Sequence, residues 1–95
     1  MDMQVFDLKV SGAPRALDAN LEAQLTELVP TDRPVTVQSV GDDEAVHFAD
    51  QIHAFLARIG RPVEASILPL VQPLLGQELV QHRHVTQVSV GHRAD

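Results

Sequence analysis

Val35-Thr36-Val37-Gln38-Ser39-Val40-Gly41-Asp42-Asp43-Glu44-Ala45 is the stretch that decides how the rest of the chain is read, because the hydrophobic period changes inside it. Its first six residues are rich in β-branched side chains and short enough for one strand. Gly41 and Asp42 end that strand, and Asp42 or Asp43 is suited to cap a following helix, with Glu44 placed where negative charge meets the positive end of the helix dipole. Ala45, Phe48, Ala49, Ile52, Phe55, Leu56 and Ile59 then fall on one helical stripe. Arg58 in the last turn and Gly60 just beyond it mark the helix end.

Reading outward, Arg61-Pro62 restarts the chain and residues 63–68 alternate as a second strand, expected to run parallel to the first through a right-handed crossover. On the N-terminal side Phe6, Leu8 and Val10 alternate with Asp7 and Lys9, which predicts a half-buried strand over residues 4–10. Ser11-Gly12-Ala13-Pro14 breaks it, and Pro14 suits a first helical position. Leu17, Leu21, Leu25 and Leu28 form an apolar stripe that Pro30 stops. Residues 31–34 read as a turn, and residues 84–90 as a final strand ended by Gly91. Pro69 and Pro73 forbid one long element between, leaving a loop or a short helix from Pro73 that carries Leu74, Leu75, Glu78, Leu79 and His82. The expected fold is α/β: strand, helix, strand, helix, strand, short helix or loop, strand, with a small, mainly parallel four-stranded sheet. Two helices are too few to cover both faces, so the expectation is a two-layer or incomplete three-layer sandwich in one domain over residues 1–95.

Composition narrows the function classes. Of 95 residues, 44% are hydrophobic and 21% charged, a globular balance. With no Trp or Tyr and only Phe6, Phe48 and Phe55, the core must be mostly aliphatic. A net charge of −6 repels phosphate backbones and anionic surfaces, so neither nucleic acid nor membrane is an expected partner. The absence of Cys removes disulfides, thiolate metal sites and thiol catalysis and fits a reducing compartment. Met1-Asp2-Met3-Gln4 shows no secretory pattern, so the expected location is the cytoplasm.

In open α/β sheets, ligands gather where strands run into helices. Two such turns are visible. Ser11, Gly12 and Arg15 offer a hydroxyl, a flexible backbone and a guanidinium for a carboxylate or phosphate. Gly41, Asp42 and Asp43 offer acceptors for a sugar or amine, or oxygen ligands for a divalent ion, although helix capping alone accounts for them. Neither turn carries G-x-G-x-x-G or G-x-x-x-x-G-K-[ST], and no cofactor is expected. Among the histidines, His47 and His53 lie about 600° apart around a helix and cannot share a metal. His82 and His84 form a His-x-His pair, the weak metal candidate, but His92 lies roughly 26 Å further along an extended chain. Ser11, Ser39, Ser66 and Ser89 all lie outside any G-x-S-x-G elbow, and no acid and base occur at a motif spacing, so enzyme activity has no positive support.

Residues 35–68, with Gly41 to Ala45, Phe48-Ala49, Ile52, Leu56 and Gly60, resemble the generic βαβ unit of many nucleotide-binding and response-type domains, a Rossmann-like arrangement without family-specific residues. The leading functional expectation is a non-catalytic module that binds a partner protein or pairs with itself as a homodimer. Support for pairing comes from the uncovered sheet face and from the charge-free strand 85–90, which is suited to edge-to-edge contact unless it lies inside the sheet. The alternative is a sensory domain that binds a small ligand or anion at the two turns, and a metal-dependent enzyme ranks last.

Overall fold

The computed structural model describes residues 3–10 and 15–93. Along the chain run β1 (Gln4–Asp7), α1 (Ala19–Leu28), β2 (Val35–Ser39), α2 (Asp43–Arg58), β3 (Leu68–Pro69), β4 (Gln77–Gln81) and β5 (Thr86–Val90). The strands form one sheet in the order β1-β4-β5-β2-β3. β2 pairs in parallel with both β5 and β3, whereas β4 pairs antiparallel with both β1 and β5.

This corrects the expected four-stranded, mainly parallel sheet: the sheet is mixed and five-stranded. The added strand is β4, in the segment expected to be a short helix or loop. Gly76, with φ of +82°, turns the chain into β4, and Leu79 then inserts between Phe6 and Val88. The strand expected over residues 63–68 is also displaced. Only Leu68 and Pro69 form a ladder, and Val63 makes an isolated bridge to Val35. Pro69 is tolerated because β3 is an edge strand. Strand β5, a candidate for edge pairing, lies inside the sheet between β4 and β2.

Both helices cover the same face. A crossover from β1 to β2 and one from β2 to β3 move in one direction across the sheet, and right-handed connections then place their helices on one side. Leu21 and Leu25 of α1 and Ala45, Phe48, Ala49, Ile52, Phe55 and Leu56 of α2 form a single core with Val35, Val37, Leu79, Val88 and Val90 of the sheet. Burial of one such aliphatic or aromatic side chain contributes about 1.5–3 kcal/mol, so this layer dominates the stability.

Local signals fix the helices. α1 begins at Ala19 rather than at Pro14, because Asp18 caps it: its Oδ1 accepts from the Leu21 N–H at 2.8 Å. Asp42 caps α2 in the same way, accepting from the Ala45 N–H at 2.7 Å. At the other end of α2, Gly60 has φ of +82° and donates its N–H to Ala57, while the Arg61 N–H reaches the Leu56 carbonyl, a Schellman closure that needs a residue free to adopt positive φ. The Arg61 side chain then donates to the carbonyls of Thr26 and Val29 at the end of α1, tying the two helix ends together.

Edges are managed unequally. Beyond β1, the side-chain amide of Gln24 both donates to and accepts from the Lys9 backbone at 2.9 Å, so a side chain stands in for a neighbouring strand. The outer edge of β1 itself carries no such cover among the described residues. No helix of the described residues is long and apolar enough to cross a membrane.

Candidate functional site

Two regions collect polar side chains: the carboxyl ends of β2 and β5, and the sheet face opposite the helices.

At the first, Arg15 is 5% exposed and lies beside the α2 N-terminus. Its Nε donates to Glu44 Oε2 at 2.9 Å and its Nη2 to Glu44 Oε1. Nη2 also donates to the Gly91 carbonyl at 2.8 Å, and Nη1 donates to the Gly76 carbonyl and to Gln77 Oε1 at 3.3 and 3.2 Å. Five acceptors thus match the five N–H groups of a guanidinium, and the group stacks 5.0 Å from the Phe48 ring centroid. Hydrogen bonds from Arg15 hold the Glu44 carboxyl below the usual carboxylate range, against the opposing effect of burial. Arg15 therefore joins residues before α1, the start of α2 and the turns bounding β4 and β5. None of its N–H groups is left for an incoming anion.

The other expected ligands at this end are placed as follows. Ser11 and Gly12 lie outside the described residues. Asp42 uses one oxygen on the Ala45 N–H and the other on His92 Nδ1, and these contacts, the backbone one foremost, hold its carboxyl below its ordinary range. Asp43 is the exposed first residue of α2, and a Cβ built on Gly41 meets nothing within 4 Å, so no ligand contour demands glycine there. Arg15 forms its ion pair with Glu44.

His82 and His84 flank the β4–β5 turn. His82 Nε2 lies 3.1 Å from Gln87 Oε1, and His84 is exposed. Among the described residues no group of three or more His, Asp or Glu side chains is close enough to hold a metal.

The second region was not singled out in the sequence. Across the open face the register aligns Asp7, Glu78, Ser89 and Gln38 in one row and Val5, Val80 and Gln87 in the next. Residues 70–74 border these rows and close a recess of about 300 Å³. The border is anchored at both ends. The Leu70 N–H donates to the Ser39 carbonyl at 2.8 Å, and the His92 N–H donates to the Leu74 carbonyl at 2.9 Å. Gly91 permits the second anchor, since a Cβ there would lie 2.2 Å from the Leu74 oxygen.

The recess mixes apolar walls from Val5, Val80, Leu70 and Leu74 with a bonded His82–Gln87 pair and with polar groups that lack partners. Gln38, Glu78 and Ser89 make no side-chain hydrogen bond to another described residue, although Ser89 is only 7% exposed. The signal for this surface was present in V-T-V-Q-S and T-Q-V-S-V, where a polar residue recurs at alternate positions of otherwise apolar strands. It became readable only once β4 was known to supply Glu78 and Val80. Comparison with protein-family models, curated proteins and solved structures finds no match to this chain.

Proposed function

We propose that this chain is a non-catalytic binding module whose working surface is the open face of the sheet, with the recess beside residues 70–74 as a small-ligand site. One observation carries the reading: Gln38, Glu78 and Ser89 of this recess are unpartnered, whereas Arg15, Glu44, Asp42 and His92 at the carboxyl ends of β2 and β5 are bonded to one another or to the backbone. A pocket of a few hundred Å³, apolar with a few convergent polar groups, is the usual form of a small-molecule site. The recess holds a single carboxylate, from Glu78, and one His that is already bonded to Gln87, so it lacks an assembled acid, base and nucleophile. The cytoplasmic setting expected from the sequence is kept within this reading.

The test is a titration of the labelled protein with a panel of small cationic, neutral and anionic molecules, followed by NMR. Binders are expected to move the amide signals of Gln38, Val80 and Ser89 and to lose that effect in Val80→Glu. Shifts confined to residues 41–45, or binding untouched by Val80→Glu, would reject the recess.

A second reading is self-association through the β1 edge of the sheet, with a second copy of the chain as the partner. It is favoured by Met3 and Val5, which are 51% and 53% exposed at the uncovered edge of the sheet. Two β1 strands meeting antiparallel about a two-fold axis would extend the sheet and shield both residues. Light scattering that gives a monomer at millimolar concentration rejects it, and a dimer that dissociates in Val5→Lys supports it.

A further inference from the structure

The recess, if it is the binding site, also has a chemical preference. Asp7 on β1 stands directly opposite Glu78 on β4 in an antiparallel register, which puts both side chains on the open face. Like charges so placed have Cβ atoms about 4.5–5.5 Å apart and destabilise a sheet. Neither carboxylate forms an ion pair or a side-chain hydrogen bond with another described residue. The residues lining the recess include no Lys or Arg. Nothing in the lining thus offsets the negative charge, and the chain as a whole carries −6.

An independent feature points into the same space. Ser89 follows Glu78 in the cross-strand row, is 93% buried by its 7% exposure, and carries a hydroxyl without a partner. Gln38 is next in that row, with a free side-chain amide. A donor-rich head group in the recess would meet the Glu78 carboxylate, a hydroxyl and an amide oxygen in sequence along one line, with Asp7 at the end of that row just outside the lining. Val5, Val80, Leu70 and Leu74 offer only apolar contact for the remainder of such a molecule.

We propose that the open-face recess binds a small organic cation, a primary ammonium or guanidinium on a short aliphatic body, with Glu78 as counter-ion, Ser89 and Gln38 as hydrogen-bond acceptors, and Asp7, beside Glu78 in the row but outside the lining, adding negative charge at its edge. This rests on the recess being the binding site. A divalent metal fits less well, since the lining supplies one carboxylate and no group of three His, Asp or Glu gathers among the described residues. An anion would face Glu78 with no neutralising partner in the lining.

The experiment compares n-butylammonium, agmatine, n-butanol, butyrate and magnesium ion against the labelled protein by NMR, with Glu78→Gln and Ser89→Ala in parallel. Both cations are expected to move the Glu78, Val80 and Ser89 signals at millimolar concentration, butyrate is not, and Glu78→Gln is expected to weaken the cations at least tenfold. Ser89→Ala is expected to weaken them severalfold. Removing a repelled carboxylate favours folding, so Glu78→Gln keeps the comparison interpretable. If n-butanol or butyrate binds in the recess as well as the cations do, the cation assignment falls while the recess stands. If magnesium reproduces the cation shifts, the ligand class is an ion instead. If no probe moves these signals, the cation assignment and the recess reading fall together.

Discussion

The two faces of the sheet treat polar side chains in opposite ways. Under the helices, Gln81 donates to the Leu28 carbonyl, Gln77 donates to the Leu8 carbonyl, and Arg15 matches its N–H groups to acceptors from three segments. On the open face, Asp7, Glu78, Ser89 and Gln38 stand in one row without such partners. Burial makes an unpartnered polar group costly, so partnering on the covered side is what the core requires. Water relieves that requirement on the other side, and there residue choice is free to serve recognition. The difference teaches that in this chain the most conspicuous charged residue in the sequence, Arg15, maintains structure, while quieter Gln and Ser residues face the available space.

The comparison breaks most severely at Leu79, which is fully buried at the centre of the added strand. Leu79→Ala is expected to cost about 3–5 kcal/mol in denaturant unfolding, through lost transfer energy and the cavity left behind. An equal truncation on the open face, Val80→Ala, is expected to cost much less, and similar losses at the two positions would erase the distinction.

Glu44→Gln is expected to destabilise by about 2–3 kcal/mol, since Arg15 remains buried but keeps its carbonyl acceptors. Its pH dependence gives a sharper readout. Because the folded protein lowers the Glu44 pKa, the pair's contribution is present above the ordinary glutamate range and is lost as pH falls through that range toward the lowered value. Wild type should therefore lose stability on acidification more steeply than Glu44→Gln, and parallel profiles would argue against the pair.

The covered face has one exception among the described residues. The Thr86 hydroxyl is buried without a hydrogen-bond partner. Thr86→Val should raise stability by about 1 kcal/mol, seen as a higher denaturant midpoint at unchanged slope. A loss of stability would mean that this oxygen has a partner after all. Smallest is the effect of Glu78→Gln on the unliganded protein, a gain of about 0.2–1 kcal/mol from relieving the Asp7 contact, and one that should shrink in high salt.

How much of this was legible beforehand follows from the range of the interactions. β2, α2 and its two caps rest on contacts within a few residues, so period, Asp42 and Gly60 sufficed to place them. The leucine stripe marks α1 but not its start, because Asp18 caps it while residues 15–18 run irregularly before it. β4 leaves no local signal, for a different reason. Only Leu79 of its five residues is fully buried, so neither a two-residue nor a 3.6-residue period shows, and the strand is defined by pairing with partners on both sides. The recess depends on that strand and stayed hidden with it, whereas the strand-to-helix turns were visible and are occupied by structural bonds.

Since the chain contains no cysteine, a single thiol can be placed on either face. The most direct test compares the native-state reaction of methyl methanethiosulfonate with Gln87→Cys and Val88→Cys, adjacent residues of β5. The account predicts rapid modification at position 87 and protection at position 88 until the protein unfolds. Comparable rates at the two sites, or faster reaction at 88, would contradict a sheet with one sealed face and one open face.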